Sequence, residues 1–499
     1  MCEKGAAINT LAFPHNATGA VFTPVHWALW ALERFDIVSD IEAGASLCDP
    51  SAGEGNLIIA LALRYVRKYG EIPLAVLKRL FLIEKEQYFL RRFQEKFHHE
   101  FNRDFPADNI ICADIIRNNP KLRFDFLFGN PPWANFCDLG GALKEQLKPY
   151  FVEMNLVPDM RNVLLGGARI DIAALVLYSV FRHNVNRHAR CGFFLPLSLF
   201  LNDGAHQSFR RYQTGGTVFS LDRVYDFAGT EVFQDISTRF CFAEFTLNRQ
   251  TVFPVEYYVA ASGAPRENWT KKFASPVSGP DSPLLVRDTP EAIQIPRISV
   301  EEWQQPRQGV NTCGANEVYI FDEFPRSLPA AYVFPLITAG VLQGKTREPE
   351  KWILLPYRRD GKILNHGELE EAGLYEYFQR HRQRLENRKG VLLRSALNRG
   401  LWWALLGVGA YNFTACKVVW QAYGKKVFSP LVLSNWRSAE WQANQAMHAF
   451  IPAADEADAT RIQQELIHKR VEDYLRNQRM EETRNWAQPG RIKRFLAIK

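Results

Sequence analysis

Three acidic side chains, Asp49, Glu84 and Asp114, occur where successive β-rich runs of the sequence end. Because the carboxyl ends of parallel strands meet at one edge of a sheet, we expect these carboxylates to surround one ligand. Glu84 is predicted to hold a pair of ribose hydroxyls, and Asp114 to accept a hydrogen bond from an adenine amino group. Each acid alone is also typical of a solvated strand end or a helix N-cap. Together they indicate a nucleotide-like cofactor rather than a bare phosphate.

A glycine-rich turn, Asp49-Pro-Ser-Ala-Gly-Glu-Gly55, joins the first of these strands to an apolar helix. Its glycines allow a tight turn in which the backbone approaches a ligand at the carboxyl edge of the sheet. We therefore predict that Ser51, Ala52, Gly53 and Gly55 contact the cofactor. No Gly-Lys-Ser/Thr follows, so the turn is not a P-loop and phosphotransfer is disfavoured.

The fourth predicted strand runs directly into the loop Asn130-Pro131-Pro132-Trp133. This loop resembles that of the amino-methyltransferase superfamily, whose Asn-Pro-Pro-aromatic loop acts on planar nitrogen nucleophiles. An exocyclic amino group is a poor nucleophile because its lone pair is conjugated into the ring, so its two hydrogens need acceptors. The Asn130 side-chain oxygen and the Pro131 carbonyl would accept them, and the prolines would hold that carbonyl in a fixed geometry. Trp133 would stack on the flipped base.

The resemblance implies S-adenosyl-L-methionine as the cofactor. Neither a metal nor a covalent intermediate is expected, because the methyl group on the sulfonium is already activated and catalysis consists of orientation and electrostatics. The sequence contains no Pro-Cys dipeptide, which disfavours a cytosine-C5 enzyme. The eight cysteines are scattered singly, without a Cys/His set at metal-ligand spacing, and are typical of reduced thiols.

The order of the motifs over roughly residues 15–250 resembles the gamma group of DNA amino-methyltransferases. Upstream, Gly19-Ala-Val-Phe-Thr-Pro24 is similar to the first cofactor motif of that group. The resemblance implies that Thr23 and the adjacent Pro24 approach the methionine end of the cofactor, and Asn130 is also assigned to the cofactor site.

Three downstream segments continue the resemblance. Arg169-Ile-Asp171 is similar to the next helix motif, and Gly192-Phe-Phe-Leu-Pro196 to the strand that follows it. The segment Glu231-Val-Phe-Gln-Asp-Ile-Ser237 resembles the one that supplies a second aromatic wall. The resemblance therefore implies that Phe233 is the partner of Trp133 around the target base.

The alternation of short β-rich runs with amphipathic stretches over residues 45–247 predicts an α/β fold with a parallel sheet between helices. We predict a Rossmann-like S-adenosylmethionine-dependent methyltransferase domain over residues 1–255. Residues 256–285, rich in Gly, Pro and Ser, are predicted to be a linker. Residues 286–499 are predicted to form a mixed α+β domain for DNA target recognition. The predicted strands are residues 46–49, 79–84, 109–113, 124–128, 191–196, 221–227 and 239–247.

The second half of the chain is rich in aromatic and basic residues. We predict long helices over residues 368–388 and 455–479, and no nuclease motif stands out. Exposed basic residues are also typical of ordinary solvated surface. Six residues are candidates for contact with DNA phosphates or bases: Trp352, Tyr357, Arg358, Arg359, Lys425 and Lys426.

Composition allows these interpretations without deciding them. Hydrophobic residues make up 47% of the 499-residue chain and charged residues 23%, which is typical of globular domains. The net charge of +7 is compatible with a polyanionic partner, although many basic proteins bind no nucleic acid. The longest apolar stretch, residues 173–181, is far shorter than the ~20 residues that a membrane span requires. We expect a cytoplasmic protein.

The sequence therefore predicts a site-specific DNA methyltransferase that transfers a methyl group from S-adenosyl-L-methionine to N6 of a flipped-out adenine. Double-stranded DNA is the expected partner, together with restriction or phage-defence proteins. Asn130 favours adenine over cytosine N4 without settling it. The alternatives are an RNA-adenine or protein-glutamine amino-methyltransferase, and a cofactor-binding DNA-recognition subunit of a defence complex. The complete set Asp49, Glu84, Asp114 and Asn130 argues against an inactive site.

Overall fold

The structure is a computed structural model that describes residues 22–157, 170–202, 205–228, 230, 232–233, 238–261, 268–291, 295, 297–424, 427–479 and 486–498. The chain divides into two compact units. The first unit extends to Pro283 and includes Arg287–Pro290. The second unit contains Leu284–Val286 and the residues from Glu291 onward. Within the described residues, no helix combines the length and apolarity needed to cross a membrane.

The first unit contains a large mixed sheet and helices of four to fifteen residues. The helices are α1 Val25–Phe35, α2 Val38–Glu42, α3 Asn56–Tyr69, α4 Leu74–Leu77, α5 Gln87–Phe101, α6 Gly141–Glu153, α7 Ile172–His183 and α8 Ser198–Leu201. The strands are β1 Leu47–Asp49, β2 Leu80–Glu84, β3 Ile110–Cys112, β4 Phe124–Gly129, β5 Val185–Pro196, β6 Gln213–Thr214, β7 Thr217–Asp226, β8 Phe240–Leu247, β9 Val255–Ala260 and β10 Trp269–Pro276. The strand β11 Leu284–Arg287 spans the boundary between the units.

The strands of the first unit follow the order β3-β2-β1-β4-β5-β8-β7-β9-β10, and β6 pairs with β7. The neighbours from β3 to β5 are parallel, with Leu47 opposite Leu80 on one side and Phe126 on the other. Strand β8 runs antiparallel between β5 and β7. From β1 the chain continues to β2 and β3 on one side and then crosses to β4 on the other side. The carboxyl ends of β1 and β4 therefore border a crevice of the kind in which α/β sheets bind ligands.

Apolar runs explain why these segments are buried. Helix α7 buries every residue from Ile172 to Phe181, because its sequence is almost entirely apolar. Strand β4 likewise carries alternating large apolar side chains into the core. Each strand predicted from the sequence is present, which confirms a mixed α/β fold with a large central sheet. Strand β5 starts at Val185, six residues earlier than predicted. The prediction missed this part because its first six residues are mostly polar and partly exposed.

The predicted linker over residues 256–285 is wrong for most of its length. Strands β9 and β10 lie within this range and pair antiparallel, from Trp269 opposite Ala260 to Ala274 opposite Val255. Strand β9 also pairs in parallel with β7, so it extends the sheet of the first unit. Most of the Gly, Pro and Ser residues that suggested a linker flank these strands in the sequence, although β10 ends with Ser275 and Pro276. The strands also contain aromatic and β-branched residues that fit a pleated sheet.

The second unit contains three small sheets, with orders β12-β20, β13-β19-β17-β18 and β14-β16-β15. Its strands are β12 Ile298–Val300, β13 Arg307–Gln308, β14 Ile320–Phe321, β15 Val333–Pro335, β16 Trp352–Leu354, β17 Cys416–Gln421, β18 Leu431–Ser434, β19 His448–Ala453 and β20 Leu496–Ile498. Its helices are α9 Asn316–Tyr319, α10 Ala339–Leu342, α11 His366–Glu371, α12 Tyr375–Arg380, α13 Arg382–Glu386, α14 Val391–Asn398, α15 Glu456–His468, α16 Val471–Asn477 and α17 Pro489–Lys493.

Both long helices predicted in the second half are broken. The stretch 368–388 contains parts of α11, α12 and α13, because Gly373 adopts a positive φ of 68° after the first of them. The stretch 455–479 divides into α15 and α16 at Arg470, whose φ is 52°. A residue in the left-handed backbone conformation ends a helix, and the helical propensity of the residues on either side does not predict where that conformation occurs.

Candidate active site

A cavity of about 390 Å³ lies at the carboxyl ends of β1, β2, β3 and β4. Nine of the residues predicted for the site line it: Thr23, Asp49, Ser51, Ala52, Gly53, Glu84, Asp114, Asn130 and Pro132. Five do not appear in the lining: Pro24, Gly55, Pro131, Trp133 and Phe233. Strand ends that are far apart in sequence thus bring the acids and the Asn-Pro-Pro loop to one place.

Glu84 fixes the glycine-rich turn against the end of β2. Its Oε2 accepts the backbone N–H of Gly53 at 2.9 Å, and its Oε1 accepts that of Glu86 at 3.0 Å. Gly53 has a φ of 53°, and an added Cβ would lie 2.8 Å from Cε1 of Phe22. The turn therefore requires glycine for two reasons, its left-handed backbone and the ring packed against it.

Asp49 is buried at the end of β1. Burial raises the pKa of its carboxyl to about 8, and the charge of Glu84 acts in the same direction, while a hydrogen bond from the Ser51 N–H opposes them. That bond measures 3.2 Å. The Ser51 hydroxyl oxygen is also buried and has no hydrogen-bond partner within the described ranges. A cavity wall with such a hydroxyl suits a polar ligand.

Asp114 lines the cavity and also caps the turn that follows it. Its Oδ1 accepts the N–H groups of Ile116 at 2.9 Å and Arg117 at 3.0 Å, and its Oδ2 accepts Arg117 Nε at 2.7 Å. Burial favours the neutral acid, but these bonds to Arg117 and Ile116 outweigh it and lower the pKa of Asp114. Asp114 therefore caps a turn and not the N-terminus of a helix, and this role is compatible with a place in the cavity wall.

Asn130 is buried directly after β4, and its amide connects the loop to the upstream Thr23. The Nδ2 group donates to Thr23 Oγ1 at 3.0 Å, and Asn56 Nδ2 donates to the Thr23 carbonyl at 2.9 Å. Thr23 thus joins the loop to the start of helix α3. Because an amide is planar, this bond fixes the direction of its oxygen edge as well.

The far end of the loop is held by the start of helix α7. The Ile172 N–H donates to the Ala134 carbonyl at 2.9 Å, and the Asp171 carboxylate accepts the Ala173 N–H at 2.9 Å. Asp171 is buried, and burial raises the pKa of its carboxyl to about 7. Asp171 therefore caps helix α7 at the point where the helix contacts Ala134, the residue after Trp133.

Trp133 and Phe233 lie next to each other, and their rings are in direct contact. Their centroids lie 5.0 Å apart with the ring planes at 87°, so the edge of one ring faces the other. Trp133 also stacks on Phe240 at 5.5 Å, and its Nε1 donates to the Phe194 carbonyl at 3.3 Å. This contact leaves no slot for a planar base between the two rings. Residues 231 and 234–237 of the same segment lie outside the described residues.

Sequence reasoning missed an aromatic wall of the cavity. Phe22, Tyr88 and Phe89 line it, with centroids 5.3 Å apart for Phe22 and Phe89 and 5.5 Å for Tyr88 and Phe89. Phe22 directly precedes Thr23, and the other two rings begin the helix after Glu84. The signal available in the sequence was an aromatic pair four and five residues beyond a strand-end acid.

Gly55 serves packing rather than the cavity. Its φ is 71°, and an added Cβ would lie 2.1 Å from Cδ2 of Phe93 on helix α5. The glycine therefore allows Phe93 of α5 to pack against the start of α3, and its predicted contact with the cofactor stays a prediction. Arg169, at the start of the predicted helix motif, lies outside the described residues.

Two aromatic candidates for DNA contact in the second unit belong to its core. Trp352 is buried against Phe324 and Trp436, with centroids 4.9 Å and 5.2 Å away. Tyr357 is buried, and its hydroxyl donates to the Leu405 carbonyl at 2.9 Å. Their prediction as surface contacts is wrong, because both rings fill the interior between strands and loops.

The basic candidates are engaged as well. Arg358 pairs with Glu368 at 2.6 Å, and Arg359 pairs with Glu440. Lys425 and Lys426 lie outside the described residues. Among the residues that the structure describes, no group of His, Cys, Asp and Glu is arranged to hold a metal ion.

Comparison with solved structures finds relatives of the fold. The type IIL restriction-modification enzyme MmeI in complex with DNA has a TM-score of 0.52 and 13% identity, and the match covers 86% of this chain and 60% of that one. The type ISP enzyme LlaBIII bound to DNA has a TM-score of 0.49 at 11% identity, covering 87% and 33%. The DrdV–DNA complex has a TM-score of 0.48 at 12% identity, covering 96% and 57%.

The likeness to MmeI shows a shared fold, in which this chain spans 60% of the length of the MmeI chain. No protein-family model matches the sequence, and no curated protein matches it either.

Proposed function

We propose that this protein is a DNA methyltransferase, in which the first unit transfers a methyl group from S-adenosyl-L-methionine to N6 of adenine and the second unit binds the DNA. One observation carries the proposal: a single cavity collects Thr23, the glycine turn, Glu84, Asp114 and Asn130. These residues come from motifs whose order in the sequence resembles that of amino-methyltransferases. The strand order β3-β2-β1-β4-β5 supports a Rossmann-like arrangement, with the cavity where the order reverses.

The residues present fit S-adenosyl-L-methionine. Glu84 would hold the ribose hydroxyls, Asp114 the adenine amino group and Thr23 the methionine end. The close approach at Gly53 and the buried Ser51 hydroxyl suit a polar ligand against backbone. A volume of about 390 Å³ lies in the range of ligand pockets. When bound, the cofactor supplies a methyl group on a positively charged sulfur, already activated for transfer.

The loop residues would orient and polarise the amino group of the target base. The Asn130 side-chain oxygen and the Pro131 carbonyl would accept its two hydrogens, which returns lone-pair density to the nitrogen. The bond from Asn130 to Thr23 Oγ1 limits rotation of that amide. Pro131 and Pro132 restrict the backbone, so the two acceptors keep one geometry.

We propose that the protein acts on duplex DNA in a restriction-modification or phage-defence system. Support comes from the shared fold with MmeI, a restriction-modification enzyme whose structure was determined in complex with DNA. A second candidate function, a cofactor-binding DNA-recognition subunit, is favoured by the contact between Trp133 and Phe233, which fills the space that a flipped base would need.

Nucleoside mass spectrometry of DNA from cells that express the protein tests the proposal. We expect N6-methyladenine with the wild type and with Asn268→Ala, an exposed matched control, and none with Asn130→Ala. N4-methylcytosine instead would correct the base. Modified adenine in RNA alone, or methylated glutamine in protein, would identify one of the other amino-methyltransferases. The absence of any modified product would favour the recognition subunit.

A further inference from the structure

The stretch of the second unit from residue 380 to residue 399, called here the basic segment, contains seven Lys or Arg residues and one acidic residue. It begins at the end of α12, continues through α13 and ends just after α14. Leu385, Leu393 and Ala396 anchor it in the core of the unit, while most of its other described side chains are exposed. The segment is therefore a fixed surface of the unit rather than a free arm.

Ion pairs neutralise only part of this charge. Arg382 pairs with Glu386 at 2.8 Å, and Arg384 pairs with Glu317 at 2.7 Å. Four further cations are exposed, and none of them forms an ion pair with an acid in the part of the chain that the structure describes: Arg380, Lys389, Arg394 and Arg399. Exposed cations without acidic partners are available to an anionic ligand.

Arg388 adds a buried positive charge beneath this surface. Its guanidinium donates to the carbonyls of Thr312 at 3.0 Å, Leu385 at 3.1 Å, Trp402 at 2.7 Å and Ala404 at 2.8 Å. All these acceptors are neutral carbonyls, which solvate the cation without cancelling its charge. The bonds also fix the turn that presents Lys389.

Trp402 brings the two ends of the basic segment together. The guanidinium of Arg382 lies 5.5 Å from the Trp402 ring centroid, and Arg388 binds the Trp402 carbonyl. Arg399 lies three residues before Trp402 in the sequence. Arg382 and Arg399, which are 17 residues apart in the sequence, are therefore both close to Trp402 along the chain or in space.

We propose that the basic segment binds the phosphate backbone of duplex DNA, a role that rests on the proposed function and names the surface used by the second unit. Repeated phosphates attract spaced Lys and Arg side chains and release counterions when bound. Such contacts position the protein without reading sequence. A lipid surface fits less well because it needs an apolar face, and Leu392 alone is an exposed large apolar residue among the described side chains of the segment.

The test compares two full-length variants that each lose three positive charges. The first is Lys389→Gln, Arg394→Gln and Arg399→Gln. The matched control is Arg326→Gln, Lys345→Gln and Arg347→Gln, which removes exposed cations of the same unit that have no ion pair within the described residues. A charge-retaining variant, Lys389→Arg with Arg394→Lys and Arg399→Lys, separates lost charge from altered folding. The affinity for a random-sequence duplex DNA is measured over about 50–200 mM salt.

We expect the first variant to bind about 10-fold or more weakly, with the slope of log Kd against log salt reduced by about 2 to 3. The control and the charge-retaining variant should keep the wild-type slope. Equal slopes in the first variant and the control would overturn the proposal that the basic segment binds DNA, while leaving the proposed function intact. A wild type that binds no duplex DNA, or binds duplex RNA more tightly through the same residues, would overturn both.

Discussion

The cavity and the aromatic pair beside it are built at neighbouring strand ends of one sheet, yet only the cavity has space for a ligand. In the cavity, Glu84 and Asp114 are held by backbone N–H groups and the turn at Gly53 is fixed. In the aromatic pair, Trp133 and Phe233 contact each other at 5.0 Å. Under the proposed function, the cofactor would enter a preformed site, whereas the target base would enter only after Phe233 moved away from Trp133.

Among the variants of the cavity, Glu84→Ala should have the largest effect on cofactor binding. We expect the affinity for S-adenosyl-L-methionine to fall about 10- to 100-fold, because the change removes a charged acceptor and frees the Gly53 turn. Isothermal titration calorimetry measures this affinity. Glu95→Ala, an exposed acid on helix α5, is the control and should bind normally. An equal loss in both variants would show that Glu84 has no special part in binding.

Gly53→Ala tests whether the turn must stay close to Phe22. We expect about a 10-fold loss of cofactor affinity, because the left-handed φ is strained and the new Cβ meets the Phe22 ring. Gly70→Ala is a matched control with a φ of 79° and open space around its Cβ. It should lower stability by about 1 kcal/mol without changing cofactor affinity. Normal cofactor binding by Gly53→Ala would contradict a close-fitting turn.

Phe233→Leu tests the role of the aromatic pair Trp133 and Phe233. We expect turnover on duplex DNA to fall about fivefold with cofactor affinity unchanged, because the variant loses the ring that would stack on the base. Phe233→Tyr keeps the ring and should restore most of the rate. Single-turnover methylation assays measure the effect. A large loss of cofactor affinity would show that the ring supports the cavity instead. The distinction drawn between the cavity and the aromatic pair would then be wrong.

Asp171→Asn should have the smallest effect, on stability rather than rate. Burial raises the pKa of Asp171 to about 7, above the value of about 4 expected in the unfolded chain. The folded protein therefore binds one more proton between these pH values, and its free energy of unfolding falls as the pH rises through them. Asparagine keeps an acceptor for the Ala173 N–H but does not ionise.

We expect Asp171→Asn to gain on the order of 1 kcal/mol in the free energy of unfolding at pH 8 relative to pH 5, compared with the wild type. Denaturant titrations at the two pH values measure the difference. Identical pH dependence in both proteins would mean that Asp171 is not the group that titrates.

The sequence predicted most of the cavity because its signals are local. Strand-end acids such as Glu84 and the Asn-Pro-Pro loop follow directly from apolar runs that end in polar residues. The resemblance placed Phe233 opposite Trp133, but the direct contact between the two rings joins residues 100 positions apart, and no local pattern predicts it. Burial of Trp352 has the same cause, since its partners Phe324 and Trp436 come from distant segments. The helix breaks at Gly373 and Arg470 reflect single backbone conformations.

Arg388 also works as a noncovalent cross-link. Its single side chain ties together carbonyls from positions 312, 385, 402 and 404, a task that secondary structure usually divides among many backbone groups. Lysine has three donors and no planar fork, so it could not satisfy the same set. Loss of this one side chain would therefore let several chain segments open together, and hydrogen exchange near Thr312, Leu385 and Trp402 should rise as one cooperative group.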